Sequence, residues 1–208
     1  MAIAKELLSP PPGWDREVAS LLEALPRGRL SEIAGPRSSG STSLLLALLA
    51  RATARGDLVA LIDAEDAFDP ASAAAAGADL RNLLWVRGDG RPETACRAAE
   101  LLVRCPGFGV VALDLGDGRL DRQRPLPHLT WVRLQRAARD RDAALLLRAP
   151  RHLAGSAAAL VVGTERQAAC WIGAPRPTRL AGLAAQVQTL HARGVPIRAG
   201  RWQVTWQP

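Results

Sequence analysis

Short runs of strand length alternate along the chain with longer segments of helical pattern. The first, residues 30–34, is a short run of β type, and the others, residues 58–62, 83–86, 110–113 and 143–147, are apolar. Apolar runs of this length are typical of strands buried on both faces. The segments between them predict helices at residues 42–55, 70–76, 93–104 and 129–141. The pattern therefore predicts an α/β fold with a mostly parallel twisted sheet flanked by helices.

The last quarter of the chain changes character. Its apolar runs are short and separated by glycine and proline, at residues 159–162, 168–172, 184–190 and 202–206. In the final run Trp202, Val204 and Trp206 alternate with polar residues, as on a strand with one buried face. We predict C-terminal antiparallel strands that extend the sheet. Periodicity alone leaves residues 184–190 open between strand and helix.

An N-terminal segment, residues 1–27, precedes this pattern. Within residues 15–25, Val18, Leu21, Leu22 and Leu25 recur at helical spacing and predict a short amphipathic helix. Its apolar stripe either packs on the chain's own domain or docks a partner. We expect one domain over residues 28–208, with a basic C-terminal part from residue 148.

The net charge of +7 is concentrated at one end of the chain. From residue 148 onward, eight arginines face a single acidic residue, Glu165. Such one-sided charge suits a phosphate backbone or an acidic partner. The alternative is that arginine serves here as the general solubilising cation. The candidate contact residues for a nucleic acid or partner are Arg148, Arg151, Arg193, Arg198 and Arg201.

Composition narrows the class of protein further. The apolar runs fall far short of the roughly 20 residues that cross a bilayer, and the first residues lack the apolar region of a secretory signal. We therefore expect a cytoplasmic protein without a membrane partner. Cys96, Cys105 and Cys170 show no metal or disulfide spacing, so we expect no metal site and reduced, packed thiols.

A glycine- and serine-rich loop follows the first predicted strand and opens the first predicted helix. Its sequence, Gly35-Pro-Arg-Ser-Ser-Gly40-Ser41-Thr42, fits the phosphate-binding pattern GxxxxGK[ST] except that Ser41 stands at the lysine position. In that pattern the lysine reaches the β and γ phosphates, and the Ser or Thr hydroxyl holds Mg²⁺. Serine is short and uncharged, so the γ phosphate would lose its main fixed cation.

Two interpretations of this loop remain open. It is either a retired nucleotide site kept as a turn, or a noncatalytic nucleotide or anion site built from Gly35, Arg37, Gly40, Ser41 and Thr42. Efficient hydrolysis is the outcome expected least. We therefore expect no enzyme and no cofactor, with weak binding of ATP or another anion as the alternative.

Together with residues 61–70, this loop resembles the core of the RecA recombinase family. Asp63-Ala-Glu-Asp-Ala-Phe-Asp-Pro70 matches a characteristic family segment, and Val110-Val-Ala-Leu-Asp114 fits its Walker B strand. The resemblance covers residues 28 to about 165 and implies a RecA-like core. It matches Glu65 to the water-activating carboxylate and Asp114 to the Mg²⁺-side aspartate. Both are candidate relics. The family's glutamine sensor and long DNA-binding loop are absent from residues 148–155.

Among shortened RecA relatives the chain is most similar to the ImuA family, the RecA-like component of a bacterial mutasome. The similarity lies in Leu83-Leu-Trp-Val-Arg87, Leu145-Leu-Leu-Arg148 and residues 190–202. It implies a non-catalytic accessory role in the SOS response and translesion DNA synthesis. The implied partners are an ImuB-type Y-family-like protein, an error-prone polymerase and RecA itself.

Three other functions remain open. An ATP-dependent RecA paralogue in recombinational repair would need Arg37, or a residue of a neighbouring subunit, in place of the lysine. A RecA-fold inhibitor of cell division would need no nucleotide chemistry. Nonspecific nucleic-acid binding would use the basic C-terminal part, with Trp202 and Trp206 stacking on bases.

Overall fold

The structure is a computed structural model that describes residues 21, 23, 25–117, 126–172, 179–195 and 201–206. Its strands are β1 (Leu30–Ala34), β2 (Leu58–Asp63), β3 (Leu83–Arg87), β4 (Phe108–Asp114), β5 (Ala144–Ala149), β6 (Ala158–Ile172), β7 (Arg179–Ala192) and β8 (Arg201–Trp206). Its α-helices are α1 (Ser41–Ala54), α2 (Pro70–Ala75), α3 (Pro92–Arg104) and α4 (His128–Arg141). None of these helices combines the length and the apolar character that a membrane span requires.

The described strands form one sheet in the order β3-β2-β4-β5-β1-β6-β7-β8. Neighbours from β3 to β6 run parallel, whereas β7 and β8 are added antiparallel. The sheet is therefore mixed and mostly parallel, flanked by helices, as the sequence pattern predicts. The parallel strands all begin at one edge, here called the amino-terminal edge, and end at the opposite, carboxyl-terminal edge.

Each face of the sheet carries its own apolar core. One core joins β1, β2, β4 and β5 to α3 and α4, and the other joins the opposite faces of the same strands to α1. Leu21 and Leu25, from the predicted N-terminal helix, are buried in this second core. For these two residues the apolar stripe packs on the chain's own domain. Most of the predicted helix at residues 15–25 lies outside the described residues.

The observed boundaries of the parallel part agree with the predicted ones to within two residues. The C-terminal part differs more. The predicted runs 159–162 and 168–172 belong to the single long strand β6, and residues 184–190, which periodicity left open, belong to β7. Strand β3 is only half-buried because it is an edge strand.

The expectation of packed thiols holds for Cys96 and is wrong for Cys105. Cys96 is buried, and burial raises the pKa of its thiol to about 12. Cys105 follows the last turn of α3 and is exposed. The side chain of Cys170 lies outside the described part of the chain.

The connection from β5 to β6 crosses the sheet face without an α-helix, because only residues 150–157 span it. Such a crossing leaves backbone N–H groups that need acceptors. Glu32, in the middle of β1, supplies them: its buried carboxylate accepts hydrogen bonds from Leu153 N at 2.6 Å and Ala154 N at 3.3 Å. His152 Nδ1 lies 2.6 Å from the same carboxylate. Glu32 therefore fixes the path of this connection.

We expect Glu32→Ala to lower the free energy of unfolding by about 3 kcal/mol, because it leaves buried N–H groups without an acceptor. Urea unfolding followed by circular dichroism measures the loss. The control is Glu165→Ala on β6, where the side chain is exposed and the loss should stay below about 0.5 kcal/mol. Equal losses in the two variants would contradict this role for Glu32.

Candidate functional site

The loop between β1 and α1 has the shape of a strand-to-helix turn with two left-handed residues. Gly40, the N-cap of α1, has φ 90° and Ser38 has φ 61°. The turn is pinned from outside by β6, since the Ser39 and Thr164 hydroxyls are hydrogen-bonded at 2.7 Å and buried. A Cβ on Gly35 would lie 1.9 Å from Thr164 Oγ1. Only glycine fits at this position while β6 packs so closely.

Three charged residues meet where neighbouring strands end. The parallel register pairs Asp63 of β2 with Asp114 of β4, and Asp114 with Arg148 of β5. All three lie at the carboxyl-terminal edge, and one of them, Arg148, contacts Ser41, the position where the phosphate-binding pattern has its lysine. This edge is also where open parallel sheets bind their ligands.

Arg148 occupies the centre of this arrangement. Its side chain is 3% exposed, and its guanidinium donates from Nε to Ser41 Oγ at 3.2 Å and from Nη1 to Asp114 Oδ1 at 2.8 Å. Nη2 donates to Asp117 Oδ1. A cation from β5 therefore bridges the serine at the lysine position and the Walker B aspartate. Arg37 does not take this place, because it lies exposed in the loop.

The two aspartates at this edge are held in different ways. Burial raises the pKa of the Asp114 carboxyl, and the Arg148 guanidinium and the Gly116 N–H oppose that rise. The carboxylate of Asp63, which is also buried, accepts from Phe68 N at 2.7 Å and from Trp85 Nε1 at 3.4 Å. Asp63 thus fixes the segment after β2, whereas Asp114 is the anion that Arg148 neutralises.

Glu65, matched by resemblance to a water-activating carboxylate, lies across the loop after β4. A Cβ on Gly116, which has φ 77°, would approach Glu65 Cδ to 2.2 Å. Asp117 N donates to Glu65 Oε2 at 3.3 Å. The side chain therefore packs on the backbone of residues 116–117.

A cavity of about 310 Å³ lies in front of these residues, near the lower limit for small-molecule sites. Its walls combine apolar side chains of α1 with polar side chains of the loops: Thr42, Leu45, Leu46, Asp63, Glu65, Ala67, Phe68, Asp69, Ser72, Asp114, Gly116, Asp117 and Arg148. Five carboxylates face the single arginine. Asp69 is already engaged as the N-cap of α2, where hydrogen bonds from Ser72 and Ala71 lower its pKa.

The structure brings some of the predicted site residues together and separates others. Gly35, Gly40, Ser41, Thr42, Glu65 and Asp114 come together at this cavity or in its loop. Arg148 was predicted as an external contact residue, and this assignment is corrected because its guanidinium is buried and bonded within the chain. Arg151 and Arg193 are exposed, with Arg193 at the opposite edge. Arg198 and the side chain of Arg201 lie outside the described residues.

The pairing of Arg148 with Asp114 limits the capacity of the site to bind a metal ion. Among the described residues, no group of three or more histidine, cysteine or carboxylate side chains is placed to hold a metal ion. Thr42 and Asp114, the residues that the family pattern would assign to Mg²⁺, both line the cavity. Arg148 already occupies an oxygen of Asp114.

We expect Arg148→Ala to lower the free energy of unfolding by about 3 kcal/mol, because it leaves the largely buried Asp114 without its cation. Replacing both partners, as Arg148→Met with Asp114→Leu, should cost much less than the single change, since no buried charge is then unpaired. Chemical denaturation gives both values. Arg37→Ala, an exposed arginine of the neighbouring loop, is the control, and an equal effect there would refute the role of Arg148.

Comparison with known proteins identifies the fold family. The family described as the RecA N-terminal domain matches residues 15–118, which is half of the chain. Protein RecA of Rubrobacter xylanophilus is 47% identical over 90 residues, covering 43% of this chain and 26% of the relative. Protein RecA of Symbiobacterium thermophilum is 44% identical over 98 residues, covering 47% and 28% respectively. The similarity thus spans about a quarter of these relatives' length. On the family match, the chain belongs to the RecA family.

Proposed function

We propose that this chain is a non-hydrolysing RecA-family accessory protein of damage-induced mutagenesis that works through protein–protein contacts. The observation that carries the proposal is the buried Arg148 guanidinium, which bridges Ser41 and Asp114 inside the nucleotide site. The proposed role is support of translesion DNA synthesis, with an ImuB-type Y-family-like protein, an error-prone polymerase and RecA as partners.

The position of Arg148 argues against ATP turnover. Hydrolysis in P-loop proteins needs a loop cation that contacts the γ phosphate and a Mg²⁺ ion held beside the Walker B aspartate. Here the cation is a buried side chain whose donors already meet Ser41, Asp114 and Asp117. An incoming Mg²⁺ ion would compete with the guanidinium for Asp114, and separating a buried ion pair is costly.

The electrostatics of the cavity point the same way. Its lining contains five carboxylates and one arginine, and that arginine is already paired. A triphosphate entering without its metal would meet net negative charge, which like-charge repulsion disfavours. The cavity therefore suits ATP poorly, which favours a protein that has kept the RecA shape and lost the RecA chemistry.

The mutasome assignment rests on a narrower basis. Two of the three segments that resemble the ImuA family, residues 83–87 and 145–148, lie in strands β3 and β5, and the second one ends in Arg148. The residue that fills the nucleotide site thus belongs to the segment that carries the resemblance. A role as a docking partner needs an intact fold rather than a reactive site, and the described residues form an apolar core on each face of the sheet.

Titration with a fluorescent ATP analogue tests the loss of nucleotide chemistry. We expect no saturable binding below about 1 mM, a free energy no better than about −4 kcal/mol. Ser41→Lys with Arg148→Gln should improve affinity by at least about tenfold, because it restores the loop cation and releases Asp114. Ser41→Lys alone is the control, since it places two cations side by side. Micromolar binding with Mg²⁺-dependent turnover by the unaltered protein would instead favour the recombination paralogue.

Co-purification with an ImuB-type protein and with RecA tests the proposed partners. We expect the ImuB-type protein to be retained, with an affinity that added ATP and Mg²⁺ leave unchanged because no nucleotide switch operates. Retention of neither protein would contradict the accessory role. Retention that depends on ATP would contradict the proposed independence from nucleotide.

A further inference from the structure

The charged side chains are distributed differently over the two edges of the sheet. The carboxyl-terminal edge holds the acidic cavity, whereas the helices end at the amino-terminal edge, and α1, α3 and α4 place arginines in their last turns. Cations are favoured at helix carboxyl ends because the helix dipole is negative there. Strand β7 runs antiparallel and so also ends at this edge, followed by Arg193.

Four arginines lie at this edge, Arg27, Arg29, Arg139 and Arg193, and are here called the basic edge patch. Arg29 Nη1 donates to the Arg193 carbonyl at 3.2 Å. Gly28, between Arg27 and Arg29, packs so closely on α4 that a Cβ there would lie 3.4 Å from Arg139 Cα. All four side chains are exposed.

Backbone carbonyl groups, rather than carboxylates, orient most of this patch. Arg193 Nη1 donates to Ser156 O at 3.5 Å and Arg27 Nη1 to Asp142 O at 3.4 Å. Carbonyl contacts hold a guanidinium in place without cancelling its charge. Within the described residues, neither Arg29 nor Arg193 forms a salt bridge.

The carboxylates near the patch are fewer than its arginines. Asp57 pairs with Arg27 at 3.5 Å and with Arg55 at 2.8 Å. Asp142 Oδ1 lies 3.7 Å from the position that a Cβ on Gly28 would take, so this carboxylate stands between Arg27 and Arg139, and Asp140 lies at the carboxyl end of α4. The patch therefore keeps a positive excess, which is centred on Arg29 and Arg193.

We propose that the basic edge patch binds the phosphate backbone of a nucleic acid, at the edge opposite the P-loop. Guanidinium groups fit phosphate oxygens bidentately, and the carbonyl contacts hold Arg29 and Arg193 in place beforehand. The five carboxylates of the cavity disfavour a polyanion there, whereas the patch attracts one at the opposite edge. The contact is to backbone phosphates and carries no sequence preference.

Fluorescence anisotropy with a labelled single-stranded oligonucleotide of mixed sequence tests this proposal. We expect binding at low salt that weakens as salt is added. Arg29→Gln with Arg193→Gln should lower the steepness of log K against log salt by about 1.4, since each single-strand phosphate contact contributes about 0.7. The charge-matched control, Arg91→Gln with Arg97→Gln, removes two exposed arginines away from the patch and should leave the slope unchanged.

A charge-preserving variant and a comparison with polyglutamate complete the test. Arg29→Lys with Arg193→Lys should keep the slope, because it preserves the charge, and its thermal melt should match that of the glutamine variant. No binding at low salt, or equal slopes for the patch variant and its control, would overturn the proposal. Tighter binding of polyglutamate than of an oligonucleotide of equal charge would also overturn it, because the occupant would then be an acidic protein segment.

Discussion

The requirement that a largely buried carboxylate be neutralised governs the centre of this protein. Asp114 ends a strand that is covered on both sides, and its side chain, which borders the cavity, is 15% exposed. The pattern GxxxxGK[ST] would supply a lysine nearby, and this chain has Ser41 there. The Arg148 guanidinium provides the missing positive charge from β5 and also donates to Ser41. The nucleotide loop and two central strands are thereby joined through one side chain.

This internal cation links the loss of chemistry to the retention of the fold. A lysine at position 41 beside Arg148 would bring two cations together in a buried space. A site with neither cation would leave Asp114 without a partner. One cation satisfies the site and two or none do not. In this arrangement the Arg148 guanidinium stands in for the missing loop cation, and the Thr164 and Ser39 hydroxyls fix the loop from the other side.

Local periodicity was enough to predict the parallel core, because each strand there is a short apolar run between helical segments. It failed where local pattern is weak: the two runs within β6 are one strand, since cross-strand pairing with β7 continues through the polar residues between them. The role of Arg148 was missed for a different reason. Its partners lie 34 and 107 residues away, and the charge asymmetry of the C-terminal part made it look like a surface residue.

One signal in the sequence could have revealed the role of Arg148. Asp63, Asp114 and Arg148 each follow a run of apolar residues of strand length, and in a parallel sheet such residues reach the same edge. A buried arginine at the end of a strand requires an acidic neighbour, and Asp114 is the acid that the register provides. The same reasoning separates two kinds of arginine in the C-terminal part. An arginine at a strand end beside carboxylates, such as Arg148, is structural. Arg193, at the far edge beside carbonyl groups, keeps its charge available to a ligand.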